Sequence, residues 1–176
     1  NNRDAYMLNM IESRVIARTL QHWEPQIVYT QHQSSPFPTR IWLPPFAEPI
    51  GLRVHPLMSR TVNTIGMLMA QGLEERGQIG ATHMGTGYDA WYPGYVDYLP
   101  MLQNRASFWT ETALYRYATP HFYTVQDFPE RRRTLRPESL YPSPWRGGWW
   151  RLRDAVEYME TASLSVLDFA AKYKDD

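Results

Sequence analysis

Gln26-Ile27-Val28-Tyr29-Thr30-Gln31-His32-Gln33 is the stretch on which the reading of this chain turns. Pro25 stands immediately before it and ends the preceding helical pattern, because a residue ahead of proline avoids the helical region. Ile27-Val28-Tyr29 is β-branched and aromatic and predicts a short buried strand over 26–31, with His32 at its carboxyl end. A second stretch, Phe108-Trp109-Thr110-Glu111-Thr112-Ala113, has the same character and predicts a buried strand over 106–113 that carries Glu111. Each strand thus delivers one chemically capable side chain.

Around these two strands the pattern is helical. Residues 4–22 predict an amphipathic helix, with Leu8, Ile11, Val15, Ile16, Leu20 and Trp23 at three- and four-residue steps. Residues 57–75 predict a second, with Pro56 in its first turn, a stripe of Met58, Val62, Ile65, Met69 and Leu73, and Gly77 as its stop. A third is expected over about 149–173, with Trp149, Leu152, Val156, Met159, Val166 and Ala170 on one face and Ser163 filling the missing step. Proline punctuates 33–56, where Ile41-Trp42-Leu43 is an apolar island suited to a short strand. The segment 78–100, which includes Gly87, reads as Gly- and Tyr-rich loop with one short strand, and 114–148 reads mostly as loop. Helices alternating with short buried strands indicate an α/β fold. Two firm strands are few for a self-sufficient sheet of about four to six, so further strands are expected from elsewhere.

Composition narrows the function. The chain has 176 residues, 43% of them apolar, enough for one domain with a sizeable core. Eighteen basic residues balance eighteen acidic ones, which argues against nucleic acid or an anionic membrane as principal partner. Arg131-Arg132-Arg133 lies beside Glu130 in a proline-containing loop and reads as a solvated segment. No run of about 18 apolar residues marks a membrane span. Cysteine is absent, which excludes disulfides and thiolate metal sites. The chain opens on Asn1-Asn2-Arg3-Asp4, with no Met and no leader ahead of the helical pattern, and is read as a processed product or a fragment of something longer.

Three groups carry chemistry. His32 sits where ligands bind in open α/β sheets, at a strand's carboxyl end; the alternative is a histidine merely hydrogen-bonded there. Glu111 lies in an aromatic and Thr-rich run, where a carboxylate is costly to bury unless it is paired, bonds a metal or faces a polar cleft; an arginine such as Arg105 or Arg116 is the structural alternative. Asn2-Arg3-Asp4 either caps a helix or presents Arg3 as a planar fork to a carboxylate. His22, His55 and His121 are weaker candidates, and His83 lies in a loop suited to border a cleft. No His-x-x-His, Asp-x-Asp or His-x-x-Glu spacing occurs, so no complete zinc site arises from local motifs.

Taken in order, these residues resemble the zinc metallocarboxypeptidase family, of the carboxypeptidase A type, over nearly the whole chain. Asn2-Arg3-Asp4 resembles the Asn-Arg motif that holds the substrate's terminal carboxylate. Val28-Tyr29-Thr30-Gln31-His32-Gln33 resembles the strand of the third zinc ligand, and Thr110-Glu111-Thr112-Ala113 that of the catalytic glutamate. Tyr88-Asp89-Ala90-Trp91 resembles part of the specificity pocket. Trp145-Arg146-Gly147-Gly148-Trp149-Trp150-Arg151-Leu152-Arg153-Asp154 is similar to a bacterial branch of secreted members.

The resemblance implies the C-terminal portion of one mixed-sheet α/β/α domain, residues 1–176. It implies zinc-dependent hydrolysis of C-terminal residues from peptides, in a secreted or periplasmic setting. His32 would be a zinc ligand, Glu111 the general base, and Asn2, Arg3, Tyr88 and Asp89 substrate-binding residues. The His-x-x-Glu ligands and the oxyanion arginine would lie in a missing N-terminal half, or another chain would cover the sheet edge. A carboxypeptidase-like domain with a binding or assembly role is the alternative. Thr30 stands where the family often has an aspartate, two residues before the ligand. The stretch ahead of Asp89 has no tyrosine in the place of the family's mobile one; Tyr88, Tyr92 and Tyr95 are the nearby candidates.

Overall fold

The computed structural model describes residues 1–85, 88–114 and 116–174; Gly87 lies outside them. In chain order the elements are α1 (Ile11–Trp23), β1 (Ile27–His32), β2 (Ile41–Leu43), β3 (Ala47–Ile50), α2 (Pro56–Glu75), β4 (Ala81–His83) and β5 (Asp89–Ala90). After a short 3-10 helix (Leu99–Gln103) come β6 (Ala106–Thr112), β7 (His121–Tyr123), β8 (Gly148–Trp150) and α3 (Leu152–Lys172). Among the described residues the main sheet has four strands in the order β1-β6-β2-β4. β1 runs parallel to β6, β2 antiparallel to β6, and β4 parallel to β2. β3 pairs with β5 and β7 with β8. The chain is an α/β protein with a mixed sheet, as its pattern indicates. No described helix is long and apolar enough to cross a membrane.

β6 lies inside the sheet and is buried at all seven positions, which suits its aromatic and β-branched residues. α2 is built as its sequence predicts. Pro56 occupies the first turn, the His55 ring accepts from the Leu57 amide at 3.3 Å, and Val62, Ile65, Met69 and Leu73 face the core. Gly77, at φ +70, ends it in the left-handed region. Gly66 lets the helix lie directly on the chain at Pro44: a Cβ there would stand 2.1 Å from the Pro44 carbonyl oxygen.

Two helices depart from expectation. α1 begins at Ile11 rather than near Asp4. The Asp4 carboxylate accepts from the amides of Asn9 (3.1 Å) and Met10 (2.8 Å), and Arg14 Nε donates to the Leu8 carbonyl at 2.7 Å. Residues 4–10 are thereby held as a loop, and Asp4 is not the helix's cap. Ile11, Val15 and Trp23 point to solvent, while Ile16 and Leu20 are half-buried. α3 begins at Leu152, because Gly148–Trp150 is strand, paired with His121–Tyr123. Its buried face is Ala155, Tyr158, Ala162, Val166 and Phe169. Trp149, Leu152 and Val156, expected on that face, are about half exposed. The small side chains of Ala155 and Ala162 make the face that lies on the core, and Tyr158 reaches across to donate to the Ile79 carbonyl at 2.7 Å.

Arg40 enters β2 with only 2% of its surface exposed. Its guanidinium lies 3.9 Å from the Trp145 ring centroid, 4.6 Å from Trp150 and 5.5 Å from Tyr123. Its Nε donates to the Pro38 carbonyl at 3.1 Å. Burial lowers its pKa to about 10. Among the described residues no carboxylate pairs with it, so aromatic faces supply the electrostatic partner. The cage joins the paired strands β7 and β8 to the main sheet.

Candidate active site

In the parallel ladder of β1 with β6, Thr30 pairs with Trp109 and His32 with Glu111. Residues paired directly share a face, and faces alternate along each strand. Thr30, His32, Trp109 and Glu111 therefore lie on one face, at the carboxyl ends of two adjacent parallel strands. Tyr29, Gln31, Phe108 and Thr110 take the other. There Gln31 Nε2 donates to Ser163 Oγ of α3 at 2.8 Å, and the Tyr29 hydroxyl lies 2.9 Å from Thr110 Oγ1.

Glu111 is 8% exposed. The chain leaving β1 folds back over it, so that the Ser34 amide and hydroxyl both donate to Oε2, at 2.9 and 2.7 Å. Its other oxygen, Oε1, makes no hydrogen bond among the described residues. Neither Arg105 nor Arg116 pairs with it. Tyr88 fixes Ser34 from the opposite side, donating its hydroxyl to the Ser34 carbonyl, and its ring lies 4.8 Å from that of Trp42. Burial raises the Tyr88 pKa.

Asp97 brings a buried carboxylate to His32. Its side chain is 3% exposed, and its Oδ2 lies 3.4 Å from His32 Nε2. The Thr30 hydroxyl donates to Asp97 Oδ1 and lies 3.4 Å from His32 Nε2. A carboxylate from the loop before β6 thus reaches the histidine through a threonine clamp. The Asp97 hydrogen bond, helped by the charges of Asp97 and Glu111, raises the His32 pKa against burial and Arg3.

A raised folded-state pKa contributes stability that is complete below the unfolded value, about 6.5. That contribution is lost as pH rises through the folded value. In metal-free protein, an NMR titration should place the His32 midpoint above that of an ordinary histidine, and Asp97→Asn should lower it. A wild-type midpoint at or below the ordinary value contradicts the pairing.

The amino-terminal segment closes the arrangement. The Ala5 amide donates to the Gly94 carbonyl at 3.0 Å, and the Arg3 guanidinium lies 5.5 Å from the Tyr95 ring centroid. Asn2, Arg3, His32, Tyr88, Tyr95 and Glu111, all singled out from the sequence, line one cleft of about 370 Å³, together with Ser34, Pro36, Asp97 and Trp109. The Asn2 side-chain oxygen is buried there without a hydrogen-bond partner. Asp89 is not among the lining residues; its Oδ1 accepts from the Trp91 amide at 2.9 Å. Tyr92, outside the cleft, packs against Tyr95 with its ring tilted by 59° and centroids 4.9 Å apart. His83 is buried in β4 against the Pro44 carbonyl, 2.8 Å from its Nδ1, and burial lowers its pKa.

No family model, curated protein or solved structure matches this chain.

Geometry alone says what the cleft can do. A histidine and a carboxylate facing one space can move a proton, and an arginine beside them can bind an anion. Among the described residues no three His, Asp or Glu side chains gather to hold a metal. His32 nevertheless fits the part of a single ligand. Asp97 engages Nε2, and Nδ1 makes no hydrogen bond among the described residues, which matches how a metal-ligating imidazole is held by a carboxylate on its other nitrogen. Sequence reading missed Asp97 and Ser34. Asp97 had no signal beyond being an acidic residue in the Tyr-rich loop; Ser34 had only its closeness in sequence to His32.

Proposed function

We propose that this cleft is a peptidase site that releases C-terminal residues by zinc-dependent hydrolysis, as in the metallocarboxypeptidases the sequence resembles. The observation that supports the reading is the pairing of His32 with Glu111 across two parallel strands, with Asn2 and Arg3 in the same cleft. Arg3 would bind the peptide's terminal carboxylate through its planar fork, with the Asn2 side-chain NH2 beside it as a further donor. Glu111 would accept the attacking water's proton at Oε1 and pass it to the leaving amine, while Ser34 holds Oε2 in place. His32 would ligate zinc through Nδ1, oriented by Asp97. Bound zinc supplies an acidified water and a polarised carbonyl. The remaining ligands would come from a further segment or chain that also covers the free edge of β1, in a secreted or periplasmic setting.

The test is release of the last residue from an N-blocked dipeptide by zinc-loaded full-length protein. A peptide amidated at its C-terminus should be cleaved about 10–100-fold less efficiently, the worth of hydrogen bonds to one charged group. Equal cleavage of acid and amide would refute the role of Arg3. A second reading, peptide binding without hydrolysis, is favoured by the lone histidine in the cleft, and predicts that the free-acid peptide is retained but not cut.

A further inference from the structure

A second cavity, of about 260 Å³, lies between α1 and the 3-10 helix Leu99–Gln103. Ile16 and Leu20 form one wall, Leu99 and Pro100 the other, and Arg105 and Ser13 also line it. No residue that lines it lines the cleft of His32 and Glu111.

Two of its polar side chains, Arg105 and Ser13, carry buried atoms without hydrogen-bond partners. Arg105 makes no ion pair among the described residues, and its Nη1 is buried without a hydrogen bond. Ser13 is 4% exposed and its Oγ has no hydrogen-bond partner in the geometry, although it lies near enough to Asp4 to help lower that carboxyl's pKa. A buried guanidinium N–H without an acceptor is costly. The cheapest remedy is an acceptor that enters the cavity.

We infer that this cavity is a binding site for a small apolar monocarboxylic acid. The carboxylate meets the planar fork of Arg105, whose geometry it matches, and the hydrocarbon body lies between Ile16, Leu20 and Leu99. Arg105 is the one charged side chain among the lining residues, which suits a monoanion with an apolar body rather than a phosphate dianion. The volume sits just below the usual range for ligand pockets, which limits the occupant to roughly ten non-hydrogen atoms.

The site is tied to the cleft through the backbone. Asn1 and Ala5 line this cavity, whereas Asn2 and Arg3 line the other. One short segment is the common wall of the two spaces. The inference does not depend on what the cleft does.

The probe is 3-phenylpropanoate, titrated into the protein with methyl NMR, beside the neutral isostere 3-phenylpropanamide. The acid should bind with Kd of about 0.1–1 mM, as its size allows, and shift the methyl signals of Ile16, Leu20 and Leu99. The amide should bind about 10-fold more weakly. Arg105→Gln should bring the acid down to the level of the amide and leave the amide unchanged. The acid-to-amide comparison needs no variant and stands even if Arg105→Gln fails to fold. Equal binding of acid and amide, shifts confined to other methyls, or no binding of either at 10-fold above the expected Kd overturns the inference; the last result assigns the cavity to another protein segment.

Discussion

Glu111→Gln is expected to lower kcat for release of a C-terminal residue by about 10²–10⁴-fold, with KM and the unfolding midpoint nearly unchanged. The amide has the carboxylate's shape, and its oxygen can still accept from the Ser34 amide and hydroxyl, now at 2.9 and 2.7 Å. It cannot take up a proton at Oε1. A loss confined to kcat therefore isolates proton transfer from binding. The competing account makes Glu111 an anchor for the loop at Ser34. It predicts turnover unaltered, with at most a small fall in the unfolding midpoint as two charge-assisted hydrogen bonds become neutral ones. Zinc-loaded full-length protein, a free-acid dipeptide and a urea titration of both forms decide between them.

Gly66→Ala should destabilise the fold by more than about 3 kcal/mol, at the upper end of overpacking costs. The added Cβ would lie 2.1 Å from the Pro44 carbonyl oxygen and 2.6 Å from its carbon. These are backbone atoms and cannot swing aside, and the same oxygen receives His83 Nδ1 at 2.8 Å. Helix propensity alone predicts the opposite sign, since alanine is favoured over glycine in a helix by about 1 kcal/mol. For a chain of this size the loss corresponds to a fall in Tm of roughly 6–12 °C. Gly77→Ala is the control. Nothing lies within 4 Å of its Cβ, and only its left-handed backbone is penalised, at about 1 kcal/mol. Equal Tm values for the two variants would refute the tight contact between α2 and Pro44.

What the sequence revealed followed the residues that act locally. Ile27-Val28-Tyr29 and the run from Phe108 to Ala113 had the composition of buried strands; both form strands, β6 buried throughout and ending at Thr112, but β1 only half-buried because it lies at the edge of the sheet. Pro56 and Gly77 marked the ends of α2 through backbone constraints that need no tertiary context. The parallel register that sets His32 opposite Glu111 was invisible, because strand partners depend on the whole topology. Trp149-Trp150 read as the start of a helix, but pairing with His121–Tyr123 made them strand and turned the buried face of α3 toward Ala155 and Ala162. On α1 an apolar stripe was present without a covering layer, so Ile11, Val15 and Trp23 remain exposed. Within the cleft, Asn2, Arg3, His32, Tyr88 and Glu111 were legible as residue types that seldom lie idle. Asp97 and Ser34 were not, because loops deliver them and loop paths are set by what they pack against.

The pairing of β1 with β6 also governs when the cleft can come into being. Tyr29 and Thr110, neighbours across that ladder, are 81 residues apart in the chain. Contacts between such distant segments incur the entropy of closing a long loop before they return any stabilisation, and chains dominated by them fold slowly. A nascent chain that has made α2, β2 and β4 but has not yet docked β6 holds His32 with nothing across from it. The cleft therefore arrives in one late step rather than building up by degrees. A partly folded copy of the protein would lack it for the same reason that it is unfinished.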